Sequence, residues 1–197
     1  ATAEKIIENA PEQQQGAVGK TGLRVAVNSG EVVASGASEI IGDPVNVAAR
    51  LQEQGTAFAL VLPTMPQLQE AVVDAVKTWP VQPQVVIGEQ EKRAAFRIAH
   101  AALAKSGTVT LELALAGVPM VTAYRTGSVE AWILRRAIKV NSVILANLVI
   151  GENVVPEFLQ EDCTPEKLAQ ALREVLGESG LRRRQVEAFA KIDQIMS

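Results

Sequence analysis

The chain has 197 residues, 48% of them hydrophobic and 21% charged, and carries a formal net charge of -3. That is enough apolar material for one sizeable α/β domain or two small ones, and the acidic balance argues against a general nucleic-acid binder, which needs a basic surface. Aromatic residues make up only 4%, so a core has to be built from Ala, Val, Leu and Ile.

The opening stretch ATAEKIIENAPEQQQ lacks the basic-then-apolar order of a signal segment. No run reaches the roughly 18 apolar residues of a membrane span, and the longest apolar region, Val143 to Ile150, is interrupted by Asn147. Cys163 is the one cysteine, so no intramolecular disulfide forms and a reducing compartment is the natural reading. A cytoplasmic protein is expected.

In chain order, residues 1–20 read as a short helix and a Gln-rich connector. Leu23 to Val27 and Glu31 to Ala34 are β-rich runs around Asn28-Ser29-Gly30, a hairpin signal. Val45 to Leu51 is helix-compatible until Gly55 breaks the pattern. Ala59 to Leu62 is a buried-strand candidate ending at Pro63. Leu68, Ala71, Val72, Ala75, Val76 and Trp79 recur at helical spacing, and Pro80 stops that helix. Val85 to Ile87 predicts a strand and Glu91 to Ile98 a short helix. Ala101 to Ala104 predicts a strand, Thr108 to Ala116 a helix closed by Gly117, and Val118 to Tyr124 another strand. Strand and helix alternating at this spacing indicate a parallel sheet with helices on its faces. Thr164 with Pro165 caps a helix carrying Leu168, Leu172 and Leu176 up to Gly177, and a last helix is expected from about Leu181 to Ile195.

The chemistry centres on Ser106-Gly107-Thr108-Val109-Thr110-Leu111-Glu112. A small-residue loop leaves a buried strand and opens a helix, and its free amides and the positive end of the helix dipole suit a phosphate. Gly107 permits close backbone approach, and Ser106 and Thr108 add hydroxyls. Glu112 lies one turn further on the face of Thr108, placed to accept hydrogen bonds from ribose hydroxyls. Ligands of open α/β sheets bind at the carboxyl ends of strands, where this loop falls. On spacing alone, an ordinary helix start with Glu112 on a solvated face fits equally.

The stretch SGTVTLELALAGVPMVTAYR and the later VVPEFLQEDCTPEKLAQAL, supported by FALVLPT and GEQEKRAAFRIAHAALAKSGT, resemble the C-terminal half of bacterial lipid A disaccharide synthases over about 57–197. The resemblance implies a Rossmann-like three-layer parallel sheet, the C-terminal half of a GT-B glycosyltransferase. That family moves a diacylated glucosamine from UDP onto a diacylated glucosamine 1-phosphate. Carried over, Ser106, Gly107 and Thr108 contact the diphosphate and Glu112 the ribose of a UDP or UDP-sugar donor. Asn147, in Leu145-Ala146-Asn147-Leu148, matches the active-site Asn of the family's Leu-Pro-Asn-Leu segment, without its proline. The family's acceptor half, with its acidic catalytic residues, and the Gly-Ser-Arg segment of the donor site have no counterpart in this sequence. Glycosyl transfer needs a base on the acceptor and charge stabilisation on departing UDP, so no catalytic residue is assigned and the chain is expected to be inactive alone.

Leu23 to Val32 and Glu39-Ile40-Ile41-Gly42-Asp43-Pro44-Val45-Asn46-Val47-Ala48-Ala49-Arg50-Leu51 are similar to class III nucleotidyl cyclases over about 21–54. The resemblance implies that Asn46 orients a ribose, that Arg50 stabilises a transition-state phosphate, and that Glu39 falls where such enzymes select their base. Asn46 and Arg50 at i and i+4 share one helix face. The metal-binding Asp pair of a cyclase has no counterpart, so the 3′-hydroxyl lacks its usual activation and these residues read as vestigial, part of a structural relic or cap on the sheet.

The expected organisation is a cyclase-like fragment over 1–55, contributing a hairpin and helix, and a UDP-sugar-binding domain over 56–197, unless the two share one sheet. His100 reads as structural, since no partner acid is evident, and Cys163 has no second cysteine to hold a metal; neither a metal nor a cofactor is expected. Arg135, Arg136 and Lys139 beside Trp132, Ile133, Leu134 and Ile138 fit a solvated helix with one buried side, or peripheral contact with the inner membrane. Arg182-Arg183-Arg184 is expected to face water. A homo-oligomer is compatible with the sequence, and the competing reading is a chimeric scaffold or a nucleotide-binding regulatory protein.

Overall fold

The computed structural model describes residues 24–28, 46–53, 55, 58–124, 142 and 144–192. Six strands form a single sheet in the order β3-β2-β1-β4-β5-β6: β1 (Arg24–Asn28), β2 (Ala59–Thr64), β3 (Gln84–Ile87), β4 (Ala101–Lys105), β5 (Met120–Tyr124) and β6 (Glu157–Leu159). All neighbours pair in parallel. This is the doubly wound order, with the direction of winding reversing between β1 and β4.

The helices follow from the strands. Helix α1 (46–53) precedes β2. Next come a 3₁₀ turn, Pro66–Leu68, and α2 (Gln69–Val76), then α3 (Glu89–Ile98), α4 (Val109–Leu115), α5 (Leu145–Ile150), α6 (Pro165–Leu176) and α7 (Gly180–Phe189). Side chains alternate across the sheet, as a strand buried on both faces requires. Leu60, Leu62, Ala101, Leu103 and Val121 point into one layer with Val47 and Leu51 of α1, Val72 and Val76 of α2, and Leu168, Leu172 and Val175 of α6. On the opposite face Ala102, Ala104 and Met120 meet Val109 and Leu113 of α4, Ala146 of α5 and Phe189 of α7. Val61 and Val86 meet Ala94 and Ala95 of α3 there.

The N-terminal segment is woven into this architecture. Strand β1 pairs with β2 through Arg24↔Ala59 to Ala26↔Val61 and with β4 through Val25↔Ala101 to Asn28↔Ala104. Both of its edges are thus taken by parallel neighbours. The hairpin expected around Asn28-Ser29-Gly30 is not how β1 is used, because an interior strand has no edge left for an antiparallel partner; the second run, 31–34, lies outside the described residues. Residues on either side of the expected junction near Gly55 share one sheet and one core.

Smaller differences have local causes. Trp79 is buried beyond the end of α2, in a turn where its amide donates to the carbonyl of Val76 at 3.0 Å. Strand β6 is only three residues long, too short for an alternation to register. Arg182 does not face water: its guanidinium donates to the carbonyls of His100 at 2.8 Å and Val175 at 2.7 Å, closing the end of α6. Arg183 and Arg184 are exposed as expected. The Cys163 side chain is buried, with Sγ 3.0 Å from the carbonyl of Phe158.

Candidate functional site

Because β1 and β4 are neighbours, their carboxyl ends lie side by side, with Asn28 paired to Ala104. Ser106-Gly107-Thr108 leaves β4 at that point, the switch point where the two halves of the sheet diverge and a crevice opens. Gly107 and Thr108 are exposed and Ser106 is half-buried. The loop is pinned from behind: the buried Thr110 donates from Oγ1 to the Gly107 carbonyl at 2.7 Å, and its amide donates to the same oxygen at 3.1 Å. The Thr108 carbonyl takes the amides of Leu111 and Glu112. Among the described residues the amides of Gly107, Thr108 and Val109 donate no hydrogen bond, leaving uncommitted donors at the mouth of α4. Gly107 has a φ of 156°, and a Cβ there would meet nothing within 4 Å, so the backbone can be approached closely.

Glu112 sits on the next turn with its side chain 42% exposed, and Oε2 is 2.8 Å from Lys92 Nζ. The same ammonium lies 3.0 Å from Glu89 Oε2, and the Lys92 side chain is only 17% exposed. Burial works against the Lys92 charge, but hydrogen bonds and charge from Glu112 and Glu89 outweigh it and raise its pKa above the ordinary lysine value. Lys92 was not singled out in the sequence. It lies twenty positions from Glu112, and only the packing of α3 and α4 on neighbouring strands brings them together. Lys105, the last residue of β4, places Nζ 5.9 Å from the centre of the Tyr124 ring at the same edge of the sheet.

Asn147 lies on α5, which packs against α4, and is 2% exposed. Its Nδ2 donates to the Val155 carbonyl at 3.0 Å and to Glu157 Oε1 at 3.1 Å; its Oδ1 accepts from the amides of Val154 at 3.1 Å and Val155 at 2.9 Å. Two donors and two acceptor positions are the full capacity of an amide side chain. Ser142 Oγ also reaches Glu157 and accepts from the Ile144 amide. Asn147 thus stitches the start of α5 to the strand entering β6.

The cyclase-like positions take another course. Asn46 and Arg50 are both exposed on α1, and Arg50 is committed to Glu53 and Glu166, each at 3.0 Å. Glu166 is held below the usual carboxylate range by its own backbone amide and by Arg50. Glu39 and the basic segment Trp132 to Lys139 lie outside the described residues. His100 precedes β4, at the amino edge of the sheet, opposite the crevice. Among the described residues no group of three His, Cys, Asp or Glu could hold a metal, and no helix is long and apolar enough to cross a membrane.

The fold is matched in known proteins. The family model described as lipid-A-disaccharide synthetase matches residues 11–196. The chain belongs to that family. The match runs through the segment that resembles the cyclases. The lipid-A-disaccharide synthase of Bradyrhizobium diazoefficiens is 75% identical over 148 residues, covering 75% of this chain and 38% of that protein. The corresponding protein of Rhodopseudomonas palustris strain BisB18 is 69% identical over 147 residues, 75% of this chain and 37% of that protein. That of Gluconobacter oxydans is 44% identical over 132 residues, 67% and 32%. The chain spans less than two-fifths of the length of these curated relatives. Among solved structures, the C-terminal CMP-Kdo binding domain of WaaA from Acinetobacter baumannii superposes with a TM-score of 0.59 at 13% identity, covering 97% of this chain and 99% of that one. The ADP-heptose lps heptosyltransferase II of E. coli gives 0.56 at 11% identity, covering 85% and 52%. At these identities the likeness is one of fold, the Rossmann-like half of GT-B glycosyltransferases.

Proposed function

We propose that this chain is the donor-binding half of a lipid-A-disaccharide synthase, holding the UDP portion of UDP-diacylglucosamine in the crevice beside β1 and β4. The observation that carries the reading is the Ser106-Gly107-Thr108 loop at the switch point, with uncommitted amides and a carboxylate one turn deeper. The amides of Gly107, Thr108 and Val109 and the hydroxyls of Ser106 and Thr108 meet the diphosphate. Glu112 accepts from the ribose hydroxyls. Asn147, whose amide is fully engaged by Val154, Val155 and Glu157, supports the wall of the site and touches no ligand. The described parts of the segment over 21–54 act as architecture: β1 lines the crevice, and α1 is held by Arg50 to Glu166, which leaves Arg50 engaged in an ion pair. The role assigned to this chain is donor binding; glycosyl transfer also needs a base on the acceptor, and none of the residues at this loop is given that part. Cytoplasmic placement at the inner-membrane surface follows from the lipid substrates of the reaction.

Calorimetric titration with UDP tests this. Micromolar to millimolar binding is expected, weakened at least about tenfold by Glu112→Ala, since a charge-assisted hydrogen bond contributes about 1.5–3 kcal/mol. No binding at high UDP concentration refutes the donor site. Turnover of UDP-diacylglucosamine with the lipid acceptor by the chain alone refutes its being a binding half only.

A further inference from the structure

We propose that Lys92 is a positioning residue for the nucleotide's ribose: clamped between Glu89 and Glu112 across the crevice, its ammonium holds the Glu112 carboxylate so that the second oxygen faces the ligand. The proposal rests on the reading of the 106–112 segment as a UDP site.

The geometry is that of a strut. Helix α3 packs over β1, β2 and β3, and α4 over β4 and β5. A link from Lys92 on the second turn of α3 to Glu112 on α4 therefore crosses the line between β1 and β4 at which the crevice opens. Both helices begin at the carboxyl edge of the sheet, α3 directly after β3 and α4 after the Ser106-Gly107-Thr108 loop. Gly88, the residue before α3, is fixed to that edge by its amide, which donates to the Thr64 carbonyl at the end of β2 at 3.2 Å. The amide of Lys92 in turn donates to the Gly88 carbonyl at 3.0 Å.

The chemistry is asymmetric in a useful way. Lys92 takes Oε2 of Glu112, and Oε1 draws no hydrogen bond among the described residues. An ionised carboxylate has about four acceptor positions, so a vicinal diol can bind at Oε1 while the lysine keeps Oε2. A half-exposed glutamate without such a partner samples several rotamers, and a ligand would have to order it on binding; a carboxylate already held avoids that loss. Burial of the lysine stem fixes the direction from which the ammonium approaches, and Glu89 prevents it from following Glu112 outward. A lysine that served only to tie two helices together would affect every ligand equally. One that aims a carboxylate affects only ligands bearing ribose hydroxyls.

The test compares UDP with 2′,3′-dideoxy-UDP on the full chain by calorimetry, for the wild type, Lys92→Met, Lys92→Arg, Glu112→Gln and the Lys92→Met/Glu112→Gln pair. The wild type should prefer UDP by about tenfold. Lys92→Met should lose most of that preference while its affinity for the dideoxy nucleotide stays within about twofold, Lys92→Arg should keep it, and Lys92→Met should add nothing in the Glu112→Gln background. Equal weakening of both nucleotides, or tighter UDP binding by Lys92→Met, overturns the proposal and leaves the UDP site standing. Failure of the wild type to bind either nucleotide overturns both. Should Lys92→Met not fold, Glu89→Gln keeps the cation and loosens one anchor: the preference should then fall about two- to threefold, and an unchanged preference overturns the clamp.

Discussion

Replacing Asn147 with alanine removes four hydrogen bonds from a side chain that is 2% exposed. The Val155 amide, in a residue only 2% exposed, loses its acceptor and the Val155 carbonyl loses a donor, while the Val154 amide keeps the Glu152 carbonyl at 3.0 Å. An orphaned buried backbone group costs about 1–3 kcal/mol. Gly151, Glu152 and Asn153 next to them are exposed, so water can reach part of the gap, and a net loss of about 2–4 kcal/mol is expected. Domains of this kind are stable by about 5–15 kcal/mol in total, so the change is large but survivable. Urea unfolding followed by circular dichroism, with the slope unchanged and the midpoint lowered, measures it. UDP titration of the folded variant should stay within about threefold of the wild type. A stability loss below about 1 kcal/mol joined to a tenfold drop in UDP affinity would refute the reasoning, because it would mean that the side chain leaves Val154 and Val155 to serve the ligand.

Leu51→Ala tests whether α1 is part of the core. Leu51 is 1% exposed within the cluster that holds Leu60, Leu103 and Leu172, so a loss of about 2–5 kcal/mol is expected, with Trp79 fluorescence, read in a Trp132→Phe background, and circular dichroism changing together; separate transitions would make α1 an appendage. The Lys92 clamp also predicts a pH dependence. Its folded pKa is raised, so its stabilisation is fully present below the unfolded value of about 10.4 and is lost as pH rises through the higher folded value. The gap in urea midpoint between the wild type and Lys92→Met should therefore be flat from neutral pH to about pH 9 and shrink above about 10.4; a gap that closes between pH 6 and 8 would assign the effect to another group.

Local signals were legible where a local cause produced them. Thr164 accepts the Lys167 amide at 3.4 Å at the start of α6, with Pro165 at the first helical position and Gly177 after the last, because capping depends on residues three apart. The order of strands and helices from Ala59 to Tyr124 was equally plain, since each buried parallel strand is an apolar run bounded by breakers. The small-residue loop before Val109 could be recognised for the same reason. Strand β6 could not, because three residues carry no period, and Gln185 gave no sign that its Oε1 and Nε2 would bond the Met120 amide and carbonyl at 2.7 and 3.0 Å. Arg182 looked like one of three surface charges until α7 folded back on the end of α6.

By itself, then, the sequence determined the succession of strands and helices from Ala59 to Tyr124, the capped helix from Pro165, which residues form the loop at the head of α4, and that Glu112 stands one turn above Thr108. All of these depend on spacings of a few residues, which backbone geometry converts directly into position. Only the tertiary structure decided that β1 lies between β2 and β4, that the loop therefore opens on the switch point, and that Lys92 reaches Glu112. Those facts depend on which strand pairs with which across tens of residues. That choice is made by burying both faces of the whole sheet at once, and no short stretch of sequence contains it.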